Sequence, residues 1–361
     1  MADAKRFVAL DVFRGMTIAL MILVNTPGSW AYVYAPLRHA KWHGLTPTDW
    51  VFPFFLFIVG SAMAFSLNKY SGKEKWRKLA ERTATLFLLG LALNAFPFVR
   101  QDWDFSNLRV MGVLQRIGLC YGLAGVILHF WSQRLLRVHL VLLGGYTLCL
   151  LLGGSDPFSL EHNMVGRLDL WVFGSGHVWH GNGVPFDPEG LLSTLPSVST
   201  VLMGFQFGRA IQGGSFQKDW LKFGLLCFCG GWLLHVWLPV NKQLWTPSYV
   251  LVTGGLAILF LQALIWLIDQ RGYRRFFWLF EIFGTNSIFV FVASGLWVKI
   301  LLRCSFNLNG ETVNGYRYLF ETAFFPFWSP LNASFLFALM HVTLWWLILF
   351  ELNRRSIHIK I

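Results

Sequence analysis

Two histidines and an aspartate lie close together in RHAKWHGLTPTDW, residues 38–50. His39 and His43 are of the residue type that titrates near neutral pH, so either could take a proton from an amine or hydroxyl nucleophile. Asp49 could orient one of them, as a carboxylate does in catalytic dyads and triads, or it could only cap a helix that begins near Thr46. Histidines four residues apart could also bind a metal ion, but a third ligand at suitable spacing is missing, so we predict no metal site.

Charged residues inside apolar segments form a second group of candidates, because an ionisable group within a membrane span is costly. Asp11 and Arg14 stand three residues apart in ALDVFRGM, so on a helix they share one face and could pair with each other. Arg14 could instead hold an anionic ligand that enters from the cytosol. Arg116 has no acidic neighbour at helical spacing, which favours a ligand phosphate or a distant carboxylate as its partner.

A third candidate is the pair Asn286 and Ser287, which follows Gly284 in another apolar segment. A loosened helix at this point could expose backbone groups to a ligand. Each polar side chain could also serve only as a hydrogen bond between helices.

The elements that position these residues are predicted to be membrane helices. The chain has 361 residues, of which 55% are hydrophobic and only 13% charged, against about 25% charged in soluble domains. Uninterrupted apolar runs near the length of a bilayer crossing predict an all-α, polytopic helical bundle. The ten predicted spans cover residues 8–28, 48–68, 80–98, 110–131, 136–153, 191–211, 220–239, 247–268, 277–301 and 331–352.

The positions of Lys and Arg predict the orientation of this bundle. With both termini in the cytoplasm, 19 of the 30 basic residues fall in cytoplasmic segments and 9 on the opposite side. Two stretches are the least well defined: the fifth span, at residues 136–153, is short, and residues 302–330 could hold a re-entrant segment around FETAFFPFW. The net charge of +12 lies in short loops, where it would meet anionic lipid headgroups, so membrane lipid is the expected partner and nucleic acid is not.

The longest loop, at about residues 154–190, is then extracytoplasmic and rich in acidic residues, histidine and glycine. Trp171 and Trp179 stand near His177 and His180, a mixture of rings and polar groups that could stack against a sugar. An interfacial aromatic belt explains the tryptophans nearly as well. The predicted substrate-binding residues are Asp11, Trp171, Trp179, His180 and Asp187.

Several segments resemble the transmembrane heparan-α-glucosaminide N-acetyltransferase family. They occur in order along nearly the whole chain, at residues 10–25, 39–60, 112–121, 187–197, 241–251 and 284–291. The resemblance implies transfer of acetyl from cytosolic acetyl-CoA to the amine of a glucosamine-type sugar on the far side of the membrane. It also implies that His39 matches the active-site histidine of the family and Asn25 its proposed catalytic asparagine.

We expect a departure from the lysosomal members, namely the lack of their luminal N-terminal domain, which makes the chain similar to a short bacterial form. We therefore expect one transmembrane domain over residues 1–361, in a bacterial inner membrane, with an amino sugar or oligosaccharide other than heparan sulfate as acceptor. Short relatives have also been proposed to transport N-acetylglucosamine, and this alternative stays open. A second copy of the chain, in a homodimer, is a further candidate partner.

Acetyl-CoA, the expected co-substrate, is an anion whose long pantetheine arm could thread a polar channel. Its phosphates would need cations, and Arg14, Arg116 or the cluster from Lys73 to Arg82 can supply them, with Asn286 and Ser287 as further binding residues. In a direct transfer, His39 would be the general base and Asn25 would stabilise the oxyanion. In a two-step transfer, His39 would carry the acetyl group itself.

Overall fold

The part of the chain that the structure describes is mostly helical, with one small β-hairpin. The computed structural model describes residues 7–97, 105–213 and 218–359. In these residues the helices are α1 (Val8–Asn25), α2 (Val51–Ser66), α3 (Gly72–Ala95), α4 (Val113–Trp131), α5 (Leu135–Leu151), α6 (Met164–Phe173), α7 (Leu191–Gln212), α8 (Lys218–Leu234), α9 (Pro247–Leu264), α10 (Trp278–Thr285), α11 (Ser287–Leu301), α12 (Gly315–Ala323) and α13 (Pro330–Arg354). The hairpin strands are β1 (Ser305–Leu308) and β2 (Glu311–Asn314).

Each of the ten predicted spans contains a helix, and the prediction of an all-α membrane protein is confirmed. Among the described residues, five helical segments are long and apolar enough to cross a membrane: α1, Pro47–Ser66, α4, Pro247–Gln270 and α13. Helices α10 and α11 would form a sixth span, broken by a bend of 82°. Of the remaining helices in the predicted spans, α5 and α8 are shorter, with 17 residues each, and α3 and α7 carry more polar residues than the five segments named above. The count of ten and the sidedness of the termini stay predictions.

The hairpin and α12 account for most of residues 302–330, the stretch that the hydropathy pattern leaves uncertain. β1 and β2 pair antiparallel, with Ser305 opposite Asn314. The Asn314 side chain then accepts a hydrogen bond from the Arg317 N–H and caps the start of α12. This stretch therefore forms regular structure of its own.

The chain divides into two compact units that are each built from separate parts of the sequence. The first unit comprises Met1–His39, Thr46–Val51 and Leu261–Lys360, and the second comprises Ala40–Leu45 and Phe52–Phe260. The prediction of a single domain over residues 1–361 stays a prediction.

Close contact between α1 and α10 forms the centre of the first unit. A β-carbon added at Gly15 would lie 1.7 Å from the Phe280 carbonyl oxygen, and one at Gly284 would lie 2.1 Å from the Asp11 carbonyl oxygen. Small residues at such crossings let helix backbones approach closely in a membrane. Both glycines are therefore required by packing.

The Gly284→Ala substitution is expected to lower the stability of the protein by about 1–3 kcal/mol, because the added methyl group forces the α1–α10 contact apart. Thermal unfolding in detergent measures the effect. Gly144→Ala in α5 is the matched control, since nothing lies within 4 Å of its β-carbon position and alanine favours a helix. Equal unfolding midpoints for the two variants would contradict the packing argument.

In the second unit, glycines likewise let two helices approach closely where α2 crosses α7. A β-carbon at Gly60 would lie 1.8 Å from the Val201 carbonyl oxygen, and one at Gly204 would lie 1.9 Å from the Phe57 carbonyl oxygen. The Ser61 hydroxyl donates to the Gly204 carbonyl at 3.0 Å. This packing fixes α7, whose first turn carries the buried polar groups described below.

Candidate functional site

In the structure, His39 is the histidine that forms a hydrogen bond with Asp49. The sequence had left open whether His39 or His43 would do so. The distance from His39 Nδ1 to Asp49 Oδ1 is 2.7 Å. Because a carboxylate can only accept, Nδ1 carries the proton, and the lone pair of a neutral imidazole then lies on Nε2. The Asp49 side chain is 1% exposed and that of His39 is 42% exposed. A buried carboxylate thus orients a histidine that a substrate can reach.

Asp49 also has the capping role that the sequence suggested. Its Oδ2 atom accepts a hydrogen bond from the Thr46 backbone N–H at 3.1 Å, at the start of the 3₁₀ turn Pro47–Trp50 that leads into α2. One oxygen therefore holds the turn while the other holds His39. Both hydrogen bonds are present, and the cap fixes the position of the carboxylate beneath the imidazole, while a catalytic role for Asp49 stays a prediction.

His43 has different surroundings and lies in the second unit. Its Nδ1 atom is 3.3 Å from Nδ2 of Asn241, which is fully buried. Partial burial lowers the pKa of His43 below its ordinary value, and the nearby His235 lowers it further. His43 is therefore held neutral beside an amide, whereas His39 is held by a carboxylate.

Asn25, the predicted oxyanion donor, is the last residue of α1 and is exposed. It belongs to the same unit as His39 and Asp49. Its contact with a reacting acetyl group stays a prediction.

A cavity of 590 Å³ lies in the first unit, and charged side chains line it. The predicted pairing of Asp11 with Arg14 is confirmed, with 3.2 Å between Oδ1 and Nη1, and the same Arg14 nitrogen donates to the Gly284 carbonyl at 3.3 Å. A second pair, Arg274 with Glu281, lies on the same wall at 2.7 Å. The remaining lining residues are Trp278, Ile282, Gly284, Thr285, Phe350, Asn353 and His358.

Asn286 lies in the break between α10 and α11, where the sequence suggested a loosened helix. Its Nδ2 donates to the Ile357 carbonyl at 3.2 Å, and its Oδ1 accepts from the Ile359 N–H at 2.7 Å. Both hydrogen bonds hold the C-terminal segment, and the residue between them, His358, lines the cavity. Asn286 thus shapes the cavity wall through the backbone, while ligand contact by Asn286 or Ser287 stays a prediction.

The predicted sugar-binding loop has both exposed and buried members. Trp171, on α6, is 83% exposed, and Trp179 and His180 are also exposed. Asp187 is fully buried and accepts two hydrogen bonds from Arg109, from Nε at 2.8 Å and from Nη2 at 2.7 Å. Burial lowers the pKa of Arg109, but its bonds to Asp187 and to Glu189 outweigh this effect and raise it. The structure therefore gives Asp187 a protein partner, and direct contact with a sugar stays a prediction.

Arg116 and Asp169 hold opposite sides of one peptide group at the start of α7. Arg116 Nη2 donates to the Gly190 carbonyl at 3.1 Å and to the Ser193 hydroxyl, and its guanidinium lies 5.2 Å from the centroid of the Trp245 ring. The Leu191 N–H of the same peptide group donates to Asp169 Oδ1 at 2.9 Å. Among the described residues, Arg116 Nε and Nη1 and Asp169 Oδ2 have no hydrogen-bond partner. Arg116 is fully buried, and its predicted contact with a phosphate stays a prediction.

Asp169 is expected to make the stability of the protein depend on pH. Burial, helped by the negative charge of Asp187, raises its pKa from 3.8 to about 7 despite the opposing effects of the Leu191 N–H and of Arg116. The folded state therefore holds this proton more tightly than the unfolded chain, so the stabilisation is complete below pH ~4 and is lost as the pH rises to ~7. Thermal unfolding midpoints of the wild type and of Asp169→Asn, measured from pH 4 to pH 8, should diverge over this window. Parallel curves would contradict the prediction.

Comparison with known proteins agrees with the resemblance. Residues 6–241 match the family model described as "Heparan-alpha-glucosaminide N-acetyltransferase, catalytic". The chain belongs to this family. The human heparan-alpha-glucosaminide N-acetyltransferase is 30% identical over 356 residues, covering 80% of this chain and 52% of the human protein. The mouse enzyme of the same name is 27% identical, covering 81% of this chain and 53% of the mouse protein. The chain thus spans about half the length of the curated relatives it matches.

The matched segment of this heparan-α-glucosaminide N-acetyltransferase family member contains Asn25 and the His39–Asp49 pair. It also contains Arg116 and the loop at 154–190, whereas the C-terminal wall of the cavity lies beyond it. The network of Arg109, Asp169 and Glu189 was not among the residues predicted to function. Two features of the sequence could have indicated this network: the acidic composition of the loop and the arginine that precedes α4. Their spacing, however, does not show that this arginine contacts the acidic side chains.

Proposed function

We propose that the chain is a transmembrane acetyltransferase that moves acetyl from acetyl-CoA to the amine of a glucosamine-type sugar. The observation that carries the proposal is the His39–Asp49 pair, with 2.7 Å between Nδ1 and Oδ1, in a chain of this family. An amine must lose a proton to attack an acyl group, and a histidine oriented by a carboxylate can accept that proton near neutral pH.

Two routes are consistent with this geometry. In the direct route, the amine nitrogen of the sugar attacks the thioester carbonyl while Nε2 of His39 takes a proton from that amine. Asn25 donates a hydrogen bond to the oxyanion, and the CoA thiolate leaves. In the two-step route, Nε2 itself attacks the carbonyl and the CoA thiolate leaves. The amine then attacks the carbonyl of the acetyl-imidazole, the imidazole leaves, and the proton that the amine loses passes to Nε2. Release of CoA before sugar is added, in a single-turnover experiment, supports the second route, and strict dependence on sugar supports the first.

The cavity in the first unit is the proposed site for the anionic end of acetyl-CoA. Its 590 Å³ lies in the usual range for small-molecule sites. Arg14, Arg274 and His358 supply cationic or hydrogen-bonding groups for phosphates, and Trp278 and Phe350 supply rings on which an adenine could stack. A guanidinium carries five N–H donors, and the carboxylate of Glu281 occupies only two nitrogens of Arg274.

Replacing Arg14 or Arg274 with glutamine is expected to raise KM for acetyl-CoA roughly 10- to 150-fold with little change in kcat, because a charge-assisted hydrogen bond contributes ~1.5–3 kcal/mol. Steady-state kinetics with varied acetyl-CoA measures this change. Arg317→Gln is the matched control, because Arg317 is an ion-paired arginine of the same unit that does not line the cavity. If KM moved equally in all three variants, the cavity would not be the donor site.

The proposed topology has ten spans, both termini in the cytoplasm and a location in the bacterial inner membrane. It is supported by the helix found in each apolar run and by the distribution of Lys and Arg. In this topology Arg274 lies at the cytoplasmic side, where acetyl-CoA is available. The exposed Trp171, Trp179 and His180 lie on the opposite side, where we propose that they contact the acceptor sugar.

An acceptor screen with labelled acetyl-CoA tests the proposal most directly. The full chain in lipid vesicles is expected to transfer label to glucosamine or to a glucosamine-ended oligosaccharide. The transporter alternative instead requires saturable uptake of N-acetylglucosamine without acetyl-CoA. It is not favoured, because both curated relatives are named as N-acetyltransferases. Uptake without any transfer would overturn the proposal.

A further inference from the structure

We propose that a groove between α3 and α4 binds one anionic phospholipid, with the acyl chain in the groove and the headgroup at the start of α3. The groove encloses 540 Å³, and Thr83 is the only polar residue among the side chains that line it. Its walls include Trp76, Leu79 and Ala84 on α3 and Leu119 and Val126 on α4. Such a surface fits a hydrocarbon chain.

The two helices approach closely beneath the groove, which gives it a floor. A β-carbon at Gly122 would lie 2.8 Å from Oγ1 of Thr83. The groove residues Ala80, Ala84 and Leu88 remain exposed. The groove is therefore open along its length.

The length of the groove corresponds to one leaflet of a bilayer. It extends from Trp76 to Leu88, which at 1.5 Å per residue is about 18 Å along α3. Half of a bilayer's hydrocarbon core is about 15 Å thick. A lipid of one leaflet would fill the groove from the headgroup region inward, whereas a helix of a second copy would continue past Leu88.

Aromatic rings mark the end of the groove that meets the headgroups. Trp76 lies 4.9 Å from His129 and 6.2 Å from Phe130, measured between ring centroids. Tryptophan and its aromatic neighbours are typical of the membrane–water interface, where an apolar ring meets polar headgroups. The Trp76 end is therefore assigned to the interface.

Unpaired positive charge stands next to this end. Lys73 precedes Trp76 by three residues, so it continues the groove-lining stripe by one turn of α3. Arg77 and Lys78 pair with Glu81, but neither Lys73 nor Lys75 forms an ion pair with any residue that the structure describes. A phosphate above the groove would be attracted to both lysines, which is why we assign an anionic lipid.

Native mass spectrometry of the full chain in detergent tests the proposal, with phosphatidylglycerol and phosphatidylcholine of identical acyl chains as probes. The wild type is expected to bind phosphatidylglycerol several-fold more tightly. The Lys73→Gln, Lys75→Gln double variant should lose this preference. As a matched control, Arg134→Gln with Arg137→Gln removes two exposed charges, one just before α5 and one in its first turn, and should keep this preference.

A second variant tests the groove itself. Ala84→Trp should fill the groove and lower the binding of both lipids, whereas Leu140→Trp, on an exposed face of α5, should not. Equal affinity for the two lipids in the wild type would overturn the proposal, as would an unchanged preference in the double lysine variant. A change in oligomeric state with Ala84→Trp, at constant lipid count, would overturn it by showing that a second copy occupies the groove. No arm of the test depends on acetyl transfer.

Discussion

His39→Ala is expected to lower kcat for acetyl transfer by about 10²- to 10⁴-fold, the usual contribution of a positioned general base. The histidine is the only one that the described structure holds against a carboxylate, and its side chain remains 42% exposed to a substrate. The loss should appear in both proposed routes, because Nε2 accepts a proton in one and attacks the carbonyl in the other. Initial rates with labelled acetyl-CoA and saturating glucosamine measure it.

The variant must be shown to remain folded, so binding of acetyl-CoA and the thermal midpoint are measured alongside the rate. His162→Ala is the matched control. His162 is an exposed loop histidine, and its hydrogen bond to the Ser159 hydroxyl is made by the backbone N–H, which alanine retains. A His39→Ala protein that bound acetyl-CoA and turned over at the wild-type rate would refute a catalytic role for this residue.

The second large effect is expected for Asp49→Asn, with a fall in kcat approaching 10⁴-fold, the size seen for the corresponding change in serine protease triads. The Thr46 N–H donates to Oδ2 and requires an acceptor, so the asparagine oxygen would stay at that position. The NH₂ group would then face Nδ1 of His39 and donate to it. The imidazole would adopt the other tautomer, with its proton on Nε2, and could no longer act as a base.

Thr46→Ala separates this effect from capping. It removes the hydroxyl but keeps the backbone N–H that bonds Asp49, so it should lower the free energy of unfolding by ~1 kcal/mol with a much smaller loss of rate. When both quantities are measured, Asp49→Asn should therefore lose mainly kcat, whereas Thr46→Ala should lose mainly thermal stability. If Asp49→Asn lost stability and rate only to the extent that Thr46→Ala does, Asp49 would be a cap alone.

The two proposed functional regions of the first unit, the cavity and the end of α1 at Asn25, both depend on helix α1. Its beginning supplies Asp11 and Arg14 to the cavity, and Asn25 is its last residue. The contact of α1 with α10 through Gly15 and Gly284 fixes the cavity wall, because Arg14 also donates to the Gly284 carbonyl. Substitution of Gly284 is therefore expected to weaken the proposed binding of acetyl-CoA as well as to lower stability.

The sequence by itself determined the class of fold and the identity of the main candidates. Continuous apolar runs define membrane helices because lipid leaves the backbone no other way to satisfy its hydrogen bonds, and all ten runs contain a helix. Local spacing was sufficient for the Asp11–Arg14 pair and for the cap at Asp49, since both join residues three apart in the chain. The family motifs pointed to His39 and Asn25.

Only the tertiary structure decided which groups from distant parts of the chain meet. His39 rather than His43 bonds to Asp49 because a turn of the loop, not a helical period, brings the two side chains together. Arg116 and Asp169 hold the Gly190–Leu191 peptide group although 53 residues separate them, and Asn286 binds backbone groups of Ile357 and Ile359. Apolar periodicity specifies which residues face inward, but it carries no information on which buried polar group lies opposite which. That pairing depends on the packing of whole helices, and it is what gives the candidate site its geometry.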